Sequence, residues 1–127
     1  VVDERAAGPL SQRLYLAGPM RGYPDFNFPA FDAAAARLRA AGYDVFSPAD
    51  HDRDLCAATG RTVADLSVRE CMAADTAWIC ACADGIAVLT GWDKSLGANA
   101  EVALARAIGI PFDFVSQWLR RAQEVPA

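Results

Sequence analysis

Three stretches of the chain carry most of its unusual residues, and the first two below are suited to holding a small anionic ligand. In Gly18-Pro19-Met20-Arg21-Gly22 two glycines flank an arginine. Glycine lets the backbone come close to a ligand, and a guanidinium is a planar fork for phosphate or carboxylate. An ordinary loop with a solvated Arg21 fits the same residues. In Thr90-Gly91-Trp92-Asp93-Lys94-Ser95-Leu96-Gly97 a hydroxyl leads straight into a helix. Free N–H groups at a helix N-terminus plus a hydroxyl make an anion site; a plain N-cap is the other use of Ser95. The third stretch, residues 47–54, is polar and Asp-rich, with Asp50, Asp52 and Asp54.

Two carboxylates stand near these stretches. Glu101 lies about one turn into the helix that follows Gly97. Helical side chains tilt back toward the N-terminus, so its carboxylate can reach the strand ends. It shares a face with Leu104, Ala105 and Ile108, the apolar face, which is an odd place for a solvated charge. A first-turn Glu favoured by the helix dipole is the simpler account. Asp75 falls in Ala73-Ala74-Asp75-Thr76-Ala77-Trp78-Ile79, either mid-helix or as the N-cap of a second helical piece. Asp84, just before an apolar run, stabilises the turn there.

The elements that must position these groups alternate strand and helix, with no internal repeat. Leu14-Tyr15-Leu16-Ala17 is a buried strand ending at Gly18-Pro19. A helix follows over 28–41, with Pro29 at its start, Gly42 as its stop, and Phe31, Ala34, Leu38 and Ala41 on one face. Tyr43-Asp44-Val45-Phe46 is the next strand, closed by Ser47-Pro48. Strand, helix, strand in about thirty residues is the signature of a parallel sheet. Residues 49–60 read as a surface loop and 63–83 as helix in two pieces. Gly85-Ile86-Ala87-Val88-Leu89 is an unbroken apolar strand of the kind covered on both faces. A helix over 97–108 stopped by Gly109, a strand over 110–115 and a short helix over 117–123 complete the chain. The fold expected is α/β: a three-layer, flavodoxin/Rossmann-like domain with a four- to five-stranded parallel sheet. Ligands in such sheets bind beyond the carboxyl ends of the strands, where all three stretches fall.

Composition narrows the function classes. The 127 residues, 54% apolar and 22% charged, make one globular domain, with 1–12 as a loose N-terminal arm. No run approaches the ~18 apolar residues of a membrane span, and no signal peptide is visible. The expected setting is cytoplasmic, with reduced thiols. Twelve basic against sixteen acidic residues, net −4, without an Arg/Lys cluster, argue against a nucleic-acid polymer as partner. Cys56, Cys71, Cys80 and Cys82 with the one histidine, His51, match no standard zinc spacing. Three of these cysteines fall in apolar helical sequence, where Cys behaves as a small buried hydrophobe. No metal site and no cofactor are expected.

In their order and spacing, Leu14–Gly22, then Asn27-Phe28-Pro29-Ala30-Phe31, Ala41-Gly42-Tyr43, Ser47-Pro48, and Gly91-Trp92-Asp93-Lys94-Ser95-Leu96-Gly97-Ala98-Asn99-Ala100-Glu101 resemble the nucleoside 2-deoxyribosyltransferase superfamily, in particular its small phage and bacterial branch. The resemblance spans residues 14–115. It implies a glycosyl-transfer site in which Glu101 is the nucleophile at the anomeric carbon and Asp75 assists near the departing base. N-glycosidic cleavage passes through an oxocarbenium-like state, which one carboxylate can trap while a second carboxyl protonates or orients the leaving group.

The branch follows from the same resemblance. Transferases carry Asp at the position of Ser95, where it holds a free 5′-hydroxyl. The deoxynucleoside 5′-monophosphate N-glycosidases carry Ser there and Arg at the position of Arg21. A phosphate repels a carboxylate and accepts from Ser, Arg and helix N–H groups. Pro19 stands where that branch has a phosphate-binding Ser, and the 75–84 stretch is one residue longer. The function implied is a nucleoside 5′-monophosphate N-glycosidase, with base exchange by a transferase, or nucleotide binding without chemistry, as the alternatives. Tyr15, Gly18, Met20, Arg21, Gly22, Phe28, Ser95 and Gly97 are the expected substrate-binding residues, with Tyr15, Met20 and Phe28 walling the base. Core packing is the other use of Phe26, Phe28 and Phe31. Trp92 fits either a stacking platform or an oligomer contact. The resemblance also implies a homodimer or higher homo-oligomer.

Overall fold

A computed structural model describes residues 11–124. The first ten residues of the expected N-terminal arm lie outside them; Gln12 is tied in, its carbonyl accepting from the Asp44 N–H at 3.0 Å.

Four strands form one parallel sheet: β1 (Arg13–Ala17), β2 (Asp44–Phe46), β3 (Gly85–Val88) and β4 (Phe112–Phe114), in the order β2-β1-β3-β4. The register pairs Leu14 with Val45 and Gly85, and Tyr15 with Phe46 and Ile86. Five helices cover it: α1 (Phe28–Ala40), α2 (Pro48–Thr59), α3 (Val68–Cys82), α4 (Leu96–Ile108) and α5 (Val115–Glu124).

Strand residues alternate between faces, and β1 shows the result. Leu14 and Leu16 join Phe31, Ala35 and Leu38 of α1 and Trp118 of α5 in one core. Tyr15 and Ala17 join Ile79 of α3 and Ala98, Val102 and Ala105 of α4 in the other. The architecture is therefore three-layered and α/β, as expected, with four strands. β1 connects outward to β2 on one side and lies beside β3 on the other, so the chain changes direction between β1 and β3. Crevices open beyond the strand ends at such a point.

Backbone approach is tight there. A Cβ on Gly18 would sit 2.8 Å from Leu89 Cβ. Gly18→Ala must push two strand exits apart, and we expect a loss of about 1–3 kcal/mol, read as a lower Tm. An unchanged Tm would show that the crevice floor is looser than its geometry.

Several elements differ from the sequence expectation. Residues 49–60 are not a loop: α2 spans Pro48–Thr59. Pro48 opens it at the position where a missing N–H costs nothing, Asp50 lies in its first turn, and Gly60 closes it at φ 74°. Its charges point outward as ion pairs, Arg53 with Asp32 and Asp50, and Arg39 with Asp50. Its inner face is Pro48, Ala49 and Asp52. The expected strand 110–115 is shorter, because Val115 already begins α5. The 63–83 segment is indeed two pieces, a 3-10 turn at Val63–Asp65 and then α3. Ser67 and Glu70 cap α3 reciprocally, so Asp75 is mid-helix and caps nothing. Asp84 accepts from the Arg13 N–H at 2.8 Å, so it ties the entry of β3 to the start of β1 rather than bracing its own turn as expected.

Among the described residues no helix is long and apolar enough to cross a membrane. No cysteine is fully buried: Cys56, Cys71 and Cys82 are half-buried and Cys80 is exposed, so the expectation of buried cysteines does not hold. Among the described residues no three His, Cys, Asp or Glu side chains gather as metal ligands.

Candidate active site

The crevice beyond the strand ends is a cavity of about 360 Å³, within the range of small-ligand sites. Five elements build it: the loop after β1, the N-termini of α2 and α4, the middle of α3, and the turn before α3.

Glu101 and Asp75 both line it, and each is only 5% exposed. Glu101 comes from α4, whose buried face is Ala98, Glu101, Val102 and Ala105. That face is rotated from the expected one: Ile108 is exposed and Leu104 only half-buried. Asp75 projects from α3 across from it. The Tyr15 hydroxyl, from a fully buried residue in the middle of β1, donates to Glu101 Oε2 at 2.7 Å. Asp75 Oδ1 is buried and accepts no hydrogen bond from the protein.

These surroundings set the proton affinities. Burial pushes Glu101 up to about 8; the Tyr15 hydroxyl opposes this, and the Asp75 charge adds to it. Burial likewise pushes Asp75 up to about 6, against the favourable effect of the Tyr15 hydroxyl. Tyr15 is raised well above its usual value by burial and by both carboxylates, so it remains a donor. Two carboxyls in one dry site with separated affinities share a single proton around neutrality.

One end of the cavity is the N-terminus of α4. Ser95 caps that helix, accepting from the Ala98 N–H at 3.2 Å, and lines the cavity with Lys94, Gly97 and Ala98. The capping and anion-site uses of Ser95 are thus compatible, since its own O–H is not spent on the cap. Asn99 braces the turn, donating to the carbonyls of Asp93 and Ser95. Lys94, the single lysine of the chain, is a cation that the sequence reading passed over, although its place beside Ser95 was a usable signal.

Tyr15, Gly18, Met20, Arg21, Ser95 and Gly97 are brought together as expected. Arg21 also donates to the Leu66 carbonyl at 2.9 Å. Its charge lowers the proton affinity of Asp52 and of Cys71, which puts it on the α2 side of the cavity. Gly22 and Phe28 are not cavity-lining, contrary to expectation. Gly22 supplies a turn at φ 87°. Phe28 packs in the α1 core under the Arg53 guanidinium. The apolar wall comes instead from Phe26 and Phe31. Trp92 is no stacking platform: it packs edge-on against Phe112, away from the cavity. Asp52, which the sequence placed only in a polar stretch with no role of its own, lines the cavity from α2 and is 4% exposed.

Residues 12–114 match the family described as a domain of unknown function, DUF4406. The chain belongs to that family. No curated protein matches it. In this DUF4406 domain the matched segment runs from β1 through β4 and so contains every group of the cavity.

Proposed function

We propose that this DUF4406 domain is a nucleoside 5′-monophosphate N-glycosidase. The observation that carries the reading is the buried pair Glu101 and Asp75, of unequal proton affinity, beside a helix N-terminus with Ser95 and Lys94. The phosphate sits at the N-terminus of α4, accepting from Ser95 and neighbouring N–H groups, with Lys94 supplying charge. This places the sugar over Glu101. The Glu101 carboxylate attacks the anomeric carbon while the bond to the base nitrogen breaks, and Asp75 gives that nitrogen its proton. Water then attacks the anomeric carbon, gives a proton back to Asp75, and releases the glycosyl bond to Glu101. Tyr15 holds the nucleophile in place and stays neutral throughout. The protein acts in a homo-oligomer on this reading.

The productive state has Glu101 ionised and Asp75 protonated, the reverse of the resting order. It is the minor tautomer of the singly protonated pair. The developing oxocarbenium charge favours it, because cation and carboxylate are then neighbours in a dry site. The rate therefore follows the singly protonated pair. We expect a bell-shaped kcat/KM with limbs at about pH 6 and about pH 8, each falling tenfold per pH unit outside them. The alkaline limb is diagnostic, since the phosphate itself ionises near pH 6. A rate that keeps rising above pH 9 would remove the paired-carboxyl account.

The reading is tested by chromatography of the protein incubated with ribo- and deoxyribonucleoside monophosphates and their dephosphorylated nucleosides. Free base from a monophosphate, and not from its nucleoside, is the expected result. Product only when an acceptor base is added would assign base exchange. Binding without product would assign a binding module.

A further inference from the structure

Asp52 is the third carboxyl of the cavity. Pro48 and Gly60 fix the span of α2, and within it Asp52 is the polar side chain turned inward. Its Oδ1 meets Cys71 Sγ at 4.0 Å, a weak donor at long range, and lies 3.7 Å from His51 Nδ1, too far for a hydrogen bond. His51 Nδ1 is itself buried without a partner. Cys71 stands one turn before Asp75 on the same helix, so Asp52 and Asp75 are neighbours across the cavity floor. Asp75 acts on Glu101 and Asp52 acts on Asp75, which places Asp75 between the other two carboxyls.

A buried carboxyl without a strong donor is costly unless a ligand supplies one. Burial raises the proton affinity of Asp52, while His51 and Arg21 favour its ionised form. Asp75 Oδ1 beside it is buried with no partner at all, in a residue 5% exposed. Beyond Asp75 this side of the cavity offers the acceptors of Asp75 and Asp52, with Arg21, held on the Leu66 carbonyl, as the cation acting on Asp52.

We infer that Asp52 is a specificity-determining residue that selects bases carrying an exocyclic amino group. This rests on the proposed function for which end of the cavity receives the base. An amino group points two N–H donors at the carboxylate. An oxo group in the same place brings acceptor against acceptor and leaves the buried carboxyl unpaired, which is how polar sites reject near-isosteres.

The test is binding, read apart from turnover. Glu101→Gln protein is titrated calorimetrically with cytidine against uridine monophosphate and adenosine against inosine monophosphate, in ribo and deoxyribo form. The expected Kd is about tenfold or more tighter for the amino member of each pair. In the Glu101→Gln, Asp52→Asn double variant the ratio falls to within about threefold, because an amide presents a donor as well as an acceptor. Equal affinities, an oxo preference, or a preference that survives Asp52→Asn would overturn the assignment of Asp52. So would failure of every monophosphate to bind. If the double variant does not fold, the pair ratios of Glu101→Gln alone decide. A clear amino preference with no base released by the wild-type protein would instead overturn the hydrolase reading and leave Asp52 standing.

Discussion

Glu101→Gln is expected to lower base release by about 10⁴-fold or more, since a neutral amide cannot form the glycosyl bond. The same substitution should make the protein more stable at alkaline pH. The folded-state affinity of Glu101 is raised from its ordinary 4.5 to about 8. The native chain therefore holds a proton that the unfolded chain releases. That contribution is fully present below about pH 4.5, erodes as pH rises through 8, and is gone above it. Gln carries no such dependence. Relative to wild type, the variant should gain on the order of 5 kcal/mol near pH 8.5 and little near pH 4. Urea unfolding at the two pH values reads the difference. A variant less stable than wild type at alkaline pH would mean that Glu101 is better solvated than its burial implies. Retained turnover would remove it as nucleophile.

The second large effect is structural. Trp118 of α5 is buried, donates its indole N–H to the Ile86 carbonyl at 2.9 Å and meets Tyr43 edge-on. A Cβ on Gly85 would lie 2.7 Å from its ring. The indole thus occupies the space that a glycine leaves at the start of β3, and clamps α5 to the sheet. Trp118→Ala should cost about 3–5 kcal/mol, a large share of the ~5–15 kcal/mol of a typical domain. Gly85→Ala should be destabilising alone and nearly neutral in the Trp118→Ala background, a coupling that a double-mutant cycle measures. Additive losses would contradict the packing described.

What could be read from the sequence follows from how strongly local pattern ties to tertiary environment. The apolar runs at 14–17 and 85–88 can only be strands covered on both faces, and they are. Helix α2 escaped because its one buried polar residue, Asp52, interrupts an already thin apolar face; ion pairs with Arg39 and Arg53 hide behind an Asp-rich composition. Phe26 and Phe28 exchanged expected places for a different reason. Asp25, Phe26 and Asn27 all take positive φ, from 52° to 60°, a conformation that non-glycine residues seldom adopt. It resets the phase before α1 and turns Phe26 into the cavity. In α4 an alanine-rich sequence leaves the buried face undetermined by about a sixth of a turn, which is why Ile108 was placed inside. The Glu101 and Asp75 pair was visible as residue types, but Tyr15, which donates to Glu101 and acts on both, depends on strand register that no single sequence states.

The central claim, that Glu101 takes the sugar, is tested most directly by trapping. A 2′-fluorinated nucleoside 5′-monophosphate slows both steps by destabilising the oxocarbenium-like state, so the second step can be outrun. The protein is incubated with it, digested and mapped by mass spectrometry. The predicted result is a fluoro-sugar phosphate on the peptide containing Glu101, absent in Glu101→Gln. Base released with no adduct, or an adduct on another residue, would contradict the mechanism.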